Sequence, residues 1–358
     1  MTDVEPSRRG SARRGPVSVD VARLAGVSQK TVSRVMNNEL PVSTEVRERV
    51  LAASRQLGYR PNSAARALAA GRTFRIGFVS LGTALHGPVA TLVAAERAAR
   101  ERGYSMTIAT TDASDLAGVC KAVDSALEQG AEGVALSEPI DLGGGQLSVD
   151  VPALIFGHFP GLSAPHVIST LNAGDQSAAL ATQHLLGSGH PTVHHISGPQ
   201  SWFATRERFQ GWRRALLAAG APIPQHHTGD WTAESGYRAG RELAKAPDVS
   251  AIFCANDDMA FGAIRALLEA GRSVPGEVSV MGFDDVPVAA YSSPSLSTIR
   301  HPFDAGSAAG IGALIEVIEN PDSARPRLVE PPGELILRES TGPAPHRTSP
   351  EPGGGRRP

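Results

Sequence analysis

Ser18-Val-Asp-Val-Ala-Arg-Leu-Ala-Gly-Val-Ser-Gln-Lys-Thr-Val-Ser-Arg-Val-Met-Asn37 decides how the start of this 358-residue chain is read. An N-cap-type Ser18 precedes apolar residues at helical spacing, and Gly26 stops them. Gly26-Val-Ser28 is a three-residue turn, with Ser28 placed to cap a second helix. From Gln29 to Asn37, Val32, Val35 and Met36 fall on one face and Gln29, Lys30, Ser33, Arg34 and Asn37 on the other. A third helix is predicted from about Thr44 to Leu57, with Val46, Val50, Leu51 and Leu57 to close a small core. Two short helices about a glycine turn, the second with an outward polar face, describe a helix-turn-helix. Lys30 and Arg34 suit guanine acceptors in a major groove, and Gln29 suits adenine. Ser28, Thr31, Ser33 and Asn37 are short donors matched to phosphate oxygens. The competing reading is an ordinary three-helix bundle with a wet face.

Charge supports a polyanion partner. The net charge is -2, yet residues 1–75 hold fourteen Arg/Lys and six Asp/Glu, and the rest hold twenty and thirty. A basic head on an acidic body is a footprint for nucleic acid at one end, although a solvated basic tail has the same charge. Hydrophobic residues make up 41% and charged residues 20%, so a globular, cored chain is expected. The chain lacks an apolar run of about 18 residues and a signal-like start, so neither a spanning helix nor secretion is expected; its two cysteines make a reducing cytosol the simplest home, and its Arg- and Ala-heavy usage suggests a GC-rich bacterial genome. Cys120 and Cys254 cannot make a disulfide framework. Residues 1–16 are read as a disordered basic arm and 342–358 as a disordered tail.

The body alternates. Helices are expected at about Pro88–Arg102, Leu116–Gln129, Gln176–Ser188, Ala204–Ala219, Ala233–Lys245 and Met259–Glu269. Strands are expected at Ser105–Thr110, Gly133–Leu136, Ala153–Phe156, Val193–Ser197, Ala251–Cys254 and Val278–Phe283, after a first run at Ile76–Ser80. Such alternation predicts an α/β fold of two doubly wound lobes, bordered near Ser169–Asp175. No phosphate loop, dinucleotide fingerprint or Cys/His metal spacing is present, so neither cofactor nor metal is expected.

The opening string, with Val42-Ser43 and Gly58-Tyr-Arg-Pro-Asn62, strongly resembles the head of the lac repressor / galactose repressor family of transcriptional regulators. The body, through Arg206-Glu-Arg-Phe-Gln-Gly-Trp212, Gly229-Asp-Trp-Thr-Ala-Glu-Ser-Gly-Tyr237, Ala255-Asn-Asp257 and Gly282-Phe-Asp-Asp285, is similar to the lac repressor branch of that family. The resemblance implies a helix-turn-helix domain over 17–61, a hinge helix and linker over 62–73, and a two-lobed, periplasmic-binding-protein-like sugar-binding and dimerisation domain over 74–341. It adds Ser43 to the expected backbone contacts. It places Ala65 and Leu68 in a minor-groove hinge, with Leu68 as the wedge between base pairs. A linker leucine packed on the body is the alternative.

Carbohydrate recognition needs bidentate polar partners and an aromatic plate. Arg208 stands at the place of the family's effector-binding arginine, Asn256 and Asp284 follow strand ends, and Trp231 matches a pyranose-facing tryptophan. Capping for Asn256 and Asp284, and core packing for Trp231, are the competing roles. Where the family places an effector-binding Asp, Thr170-Leu-Asn-Ala-Gly-Asp175 offers Asn172 or Asp175. The expected protein is a non-enzymatic repressor, a homodimer on near-palindromic double-stranded operator DNA. A small sugar, a disaccharide or related glycoside, would lower its DNA affinity. A co-repressor that tightens DNA binding and a sugar-transport binding protein are the alternatives.

Overall fold

The computed structural model describes residues 15–36, 41–60, 67–68, 70–111, 115–137, 140–141, 143–157, 159, 161–171, 173–323, 328–329 and 331–345. Most of the expected arm and tail, together with Asn37, Ala65 and Asn172, lie outside the described residues. The chain divides into two compact units, residues 1–73 and 74–358.

The first unit contains α1 (Ser18–Ala25), α2 (Gln29–Met36) and α3 (Thr44–Leu57). Ser18 does not cap α1, contrary to expectation. Val17 is the N-cap, and its N–H donates to Asp20 Oδ2 at 3.0 Å, so an acidic residue in the first turn meets the helix's positive end. Gly26 ends α1 with φ 65°, the left-handed value at which a side chain is strained, and Val27 N–H reaches back to Ala22 O. Ser28 Oγ accepts from Thr31 N–H at 3.1 Å, and Ser43 Oγ accepts from Val46 N–H at 3.4 Å, starting the next two helices. Val21, Val32, Val35 and Val50 form the core, joined by Ala53. Leu51 was expected there but is exposed, because the α3 step that stays on the buried face runs from Val50 to Ala53. Leu68 lies in a short helical stretch and is 88% exposed.

In chain order the second unit opens with β1 (Arg75–Leu81), α4 (His86–Glu101), β2 (Ser105–Thr111), α5 (Leu116–Glu128), β3 (Gly133–Ser137), β4 (Ala153–Phe156) and β5 (Val167–Leu171). It continues with α6 (Gly174–Gly187), β6 (His194–Ser197), α7 (Phe203–Ala218), β7 (His227–Thr228), α8 (Ala233–Ala244), β8 (Ala251–Cys254), α9 (Asp257–Glu269) and β9 (Ser279–Met281). Last come β10 (Thr298–Arg300), α10 (Phe303–Glu319), β11 (Leu328–Val329) and β12 (Glu334–Ile336). One lobe is built on a six-stranded parallel sheet ordered β11-β5-β4-β3-β1-β2, the other on a parallel sheet ordered β9-β8-β6-β7. β10 and β12 pair antiparallel at residues 298–300 and 334–336. Strands buried on both faces read as unbroken apolar runs, as Ile76–Ser80 does in β1.

The single border expected near Ser169–Asp175 is one of three crossings. The chain passes between lobes from β5 to α6, returns from β10 to α10, and leaves again between β11 and β12. α10 was not anticipated, since Gly306, Ser307, Gly310, Ile311, Ala313, Leu314, Ile315 and Val317 are all buried and its exposed face is filled in part by Ala305 and Ala309, which blurs the helical period. It packs on α4 and on the first sheet, with Gly310 against Leu154 and Thr170. Among the described residues, no helix is long and apolar enough to cross a membrane.

Candidate functional site

Two groups of side chains stand out, one in each unit. On α2, Val32 and Val35 face inward, which leaves Gln29, Lys30 and Ser33 exposed and Arg34 half-buried. Lys30 and Arg34, four residues apart, share one helical face. Gln29 Nε2 donates to Ser18 Oγ at 2.9 Å, so the residue expected to read adenine is tied to α1 here. Ser28 and Thr31 hydroxyls are 2.9 Å apart. As N-caps, Ser28 and Ser43 set where α2 and α3 begin, whatever else their hydroxyls touch.

In the second unit a cleft lies between the lobes, with an empty volume of about 1080 Å³ including open solvent at its mouth. Phe156, Trp202, Phe203, Trp231, Phe283 and Phe303 supply aromatic wall, and Ser137, Glu207, Arg208, Asn256, Asp284 and His301 supply polar groups. The four residues expected at the effector site are linked to one another. Arg208 Nη2 donates to Asp284 Oδ1 at 3.2 Å, its Nη1 donates to the Ala255 carbonyl, and the guanidinium lies 3.7 Å from the Phe283 ring centroid and 5.6 Å from that of Trp231. Burial raises the Asp284 pKa, with the Arg208 guanidinium pulling the other way.

Asn256 is the N-cap of α9. Its Oδ1 accepts from Met259 N–H at 3.0 Å and its Nδ2 donates to Trp231 O at 2.9 Å. The capping role weighed against a ligand role is therefore real, and it leaves one N–H and one lone pair of the amide over. Trp231 lines the cleft but is only 4% exposed and belongs to the lobe's hydrophobic core. The open plate expected of it is shared with Trp202, whose ring meets it edge-on at 5.3 Å. Asp175 does not reach the cleft: its Oδ2 accepts from Arg214 Nη1 at 2.6 Å on the outside of α6.

Local strain marks the same region. Among the described residues, four non-glycine residues have positive φ, and three of them are Trp231 (73°), Asp284 (114°) and Asp285 (54°). The Asp284–Asp285 turn is held from below: Asp257 Oδ2 accepts from Val286 N–H at 2.9 Å and Oδ1 accepts from Thr298 Oγ1 at 2.6 Å. Burial first, then the nearby Asp284 charge, pushes the Asp257 carboxyl up to about 8. Asp285 accepts from Arg300 and Arg338 at 2.8 and 2.7 Å. His195 is a core residue, stacked at 5.0 Å on Phe253 and 5.2 Å on Trp212, with burial lowering its pKa to about 3. Among the described residues, no group of three or more His, Cys, Asp or Glu could hold a metal ion.

Sequence reasoning missed Trp202, Phe203 and Glu207. All three sit just before Arg208, and Phe203, Ala204, Glu207 and Arg208 fall on one face of α7, so the helical spacing from Arg208 was the available signal. Ser137, Phe156, His301 and Phe303 carry no local signal, because three chain crossings bring them to the cleft.

Residues 19–62 match the family described as bacterial regulatory proteins, lacI family, and residues 182–341 match a periplasmic binding protein-like domain. The lactose operon repressor of Escherichia coli (strain K12) is 31% identical over 333 residues, 91% of each chain. A solved lac repressor dimer bound to operator and the anti-inducer ONPF superposes with a TM-score of 0.72 at 29% identity, covering 92% of this chain and all of that one. A complex of the transcriptional regulator CelR with cellobiose gives 0.65 at 32% identity, covering 91% and 99%. Fold, helix-turn-helix and long relatives agree, and the chain belongs to the lacI family of bacterial regulatory proteins.

Proposed function

We propose that the chain is a homodimeric transcriptional repressor whose operator affinity falls when a small sugar, a disaccharide or related glycoside, binds between the lobes. In this reading Lys30, Arg34 and Gln29 face base edges, and Ser28, Thr31, Ser33, Asn37 and Ser43 face phosphates. Ala65 and Leu68 of two paired hinges enter the minor groove at the centre of a near-palindrome. Leu68, 88% exposed, is free for that role. Arg208, Asp284, Asn256 and Trp231 hold the sugar. The carrying observation is the interlobe cleft, in which the Arg208–Asp284 pair stands among aromatic walls in the same chain as an outward polar α2. Relatives solved on operator and with cellobiose support it. Regulation by binding needs no catalytic step or cofactor, and its place is the bacterial cytoplasm.

The test is fluorescence anisotropy of the protein on a labelled palindrome from its own upstream region, with a panel of sugars. Release by one disaccharide is expected. Selective binding that every sugar leaves unchanged overturns the inducer role, tightening reverses its sign, and no selective binding at any salt overturns the whole reading. Lys30→Ala and Arg34→Ala each weaken binding to the preferred operator by about 1–3 kcal/mol and relax preference at one base position. An unchanged specificity profile in either variant removes that residue from base reading.

A further inference from the structure

We propose that Trp202 binds the effector and couples that binding to closure of the lobes, an inference that rests on the sugar-effector reading above. Trp202 lines the cleft and is half-buried. Trp231, at 4% exposed, has little face left to offer a sugar ring. Trp202 meets it edge-on, packs on the same hydrophobic core and remains partly exposed. An indole of that kind is a broad apolar plate for the C–H face of a pyranose. Trp202 is also the N-cap of α7, so the helix that carries Arg208 starts from it. Arg206 N–H donates to Trp202 O at 3.3 Å, and Trp202 N–H donates to Pro199 O at 3.1 Å.

The same residue lies on the seam between the lobes. Its backbone forms an antiparallel bridge with Ile140, which follows β3 in the first lobe, whereas Trp202 follows β6 in the second. Beside the bridge, Asp141 N–H donates to Ser201 O at 2.8 Å, and Arg206 Nη1 donates to Asp141 Oδ2 at 2.8 Å. Arg206 Nε donates to Gln200 O at 3.1 Å, so one arginine ties Asp141 to residues 200–202. A backbone hydrogen bond of this length is lost on a shift of about 1 Å, so the clasp exists only with the lobes closed. It is weak enough to open: Arg206 and Asp141 are 44% and 34% exposed, and such pairs are worth at most about fivefold in an equilibrium. A sugar packed on the indole contacts a residue whose place is set by the clasp, and therefore binds the closed form more tightly than the open one. That difference in affinity is what lets a ligand shift the lobes. By reciprocity, whatever favours the clasp favours the sugar by the same factor.

The test titrates cellobiose, lactose and maltose into the full-length protein by calorimetry and follows hydrogen exchange of peptides carrying Asp141, with and without sugar. The wild type is expected to bind at least one of the disaccharides and to gain protection at those peptides. Trp202→Ala weakens that binding by about tenfold or more, which corresponds to about 55 Å² of apolar surface taken out of water, and Trp202→Phe weakens it by less. At sugar concentrations that saturate Trp202→Ala, protection of the Asp141 peptides is reduced; a residue that merely touched the sugar would leave it whole. Asp141 lies outside the cleft lining, yet Asp141→Asn lowers sugar affinity about two- to fivefold, because it depopulates the closed form. If Trp202→Ala fails to fold, Trp202→Phe and Asp141→Asn decide the matter on the same readouts. Wild-type affinity in Trp202→Ala overturns the binding role and leaves the sugar reading standing. Full protection at saturation, or unchanged affinity in Asp141→Asn, overturns the coupling. Binding of no sugar by the wild type ends the sugar reading, and this inference with it.

Discussion

Arg208→Ala is expected to leave operator binding intact and to abolish release by the effector. The Arg208 side chain is 12% exposed and that of its partner Asp284 8%, so the pair is largely out of water. Removing one partner of such a pair costs about 3–5 kcal/mol of stability, and the effector loses hydrogen bonds to a charged donor, about 1.5–3 kcal/mol or roughly 10- to 150-fold in affinity. The loss is large because the side chain does three things at once: it holds Asp284, caps the Ala255 carbonyl and covers Phe283. Lysine restores the charge but not the planar fork, so Arg208→Lys recovers only part of the response. An uncompensated Asp284 also lowers stability, and Arg208→Ala/Asp284→Asn separates the two effects. The double variant should regain thermal stability and still fail to respond. Lys30 and Arg34, proposed to read bases, lie in the other unit, so operator affinity without sugar is the internal control. A normal response in Arg208→Ala, measured by anisotropy across a sugar titration, removes Arg208 from the effector site. A ligand that binds both conformations equally would shift nothing, so the lost response reports lost differential affinity.

Legibility in the sequence followed how local each feature is. The helix-turn-helix was readable because its determinants are neighbours: Gly26 for a left-handed turn, Ser28 and Ser43 as caps, Val32 and Val35 three apart on the inward face. Alternating strands such as Ala153–Phe156 and Ala251–Cys254 were equally plain, each an apolar run long enough to cross a sheet. α10 was not legible, because its exposed face is filled in part by Ala305 and Ala309 rather than by polar residues, which blurs the amphipathic period. Short β11 and β12 exist only through pairing with distant partners at residues 170–171 and 298–300. The cleft divides the same way. Arg208 and Asp284 were readable from family motifs, and they do meet. The double duty of Asn256, the near-complete burial of Trp231 and the turning of Asp175 toward Arg214 are tertiary facts that no spacing encodes.

Gly262→Ala, a single added methyl, is expected to destabilise the second unit by about 3 kcal/mol, at the upper end of what overpacking costs. Helix propensity alone predicts the opposite sign, since alanine is better than glycine inside a helix by about 1 kcal/mol. Packing wins here because α8 and α9 touch backbone to backbone. A Cβ at Gly262 would lie 1.9 Å from Ala233 O and 2.6 Å from Tyr237 N, and one at Gly236 would lie 2.1 Å from Met259 O. These neighbours are main-chain atoms that cannot swing aside, so the helices must part. Parting them strains the cleft as well, because α9 starts at Asn256 and α8 follows Trp231, and the bond from Asn256 Nδ2 to Trp231 O joins the two starts. The variant should therefore lose effector affinity along with stability. At about 2–4 °C per kcal/mol for domains of 150–250 residues, Tm falls by roughly 6–12 °C. Gly187→Ala is the matched control: that glycine ends α6 with nothing within 4 Å of an added Cβ, and propensity should prevail there with no loss of Tm. Equal Tm values for the two variants would mean that α8 and α9 have slack to separate, and the close glycine seam would no longer explain how Trp231 and Asn256 are held at the cleft.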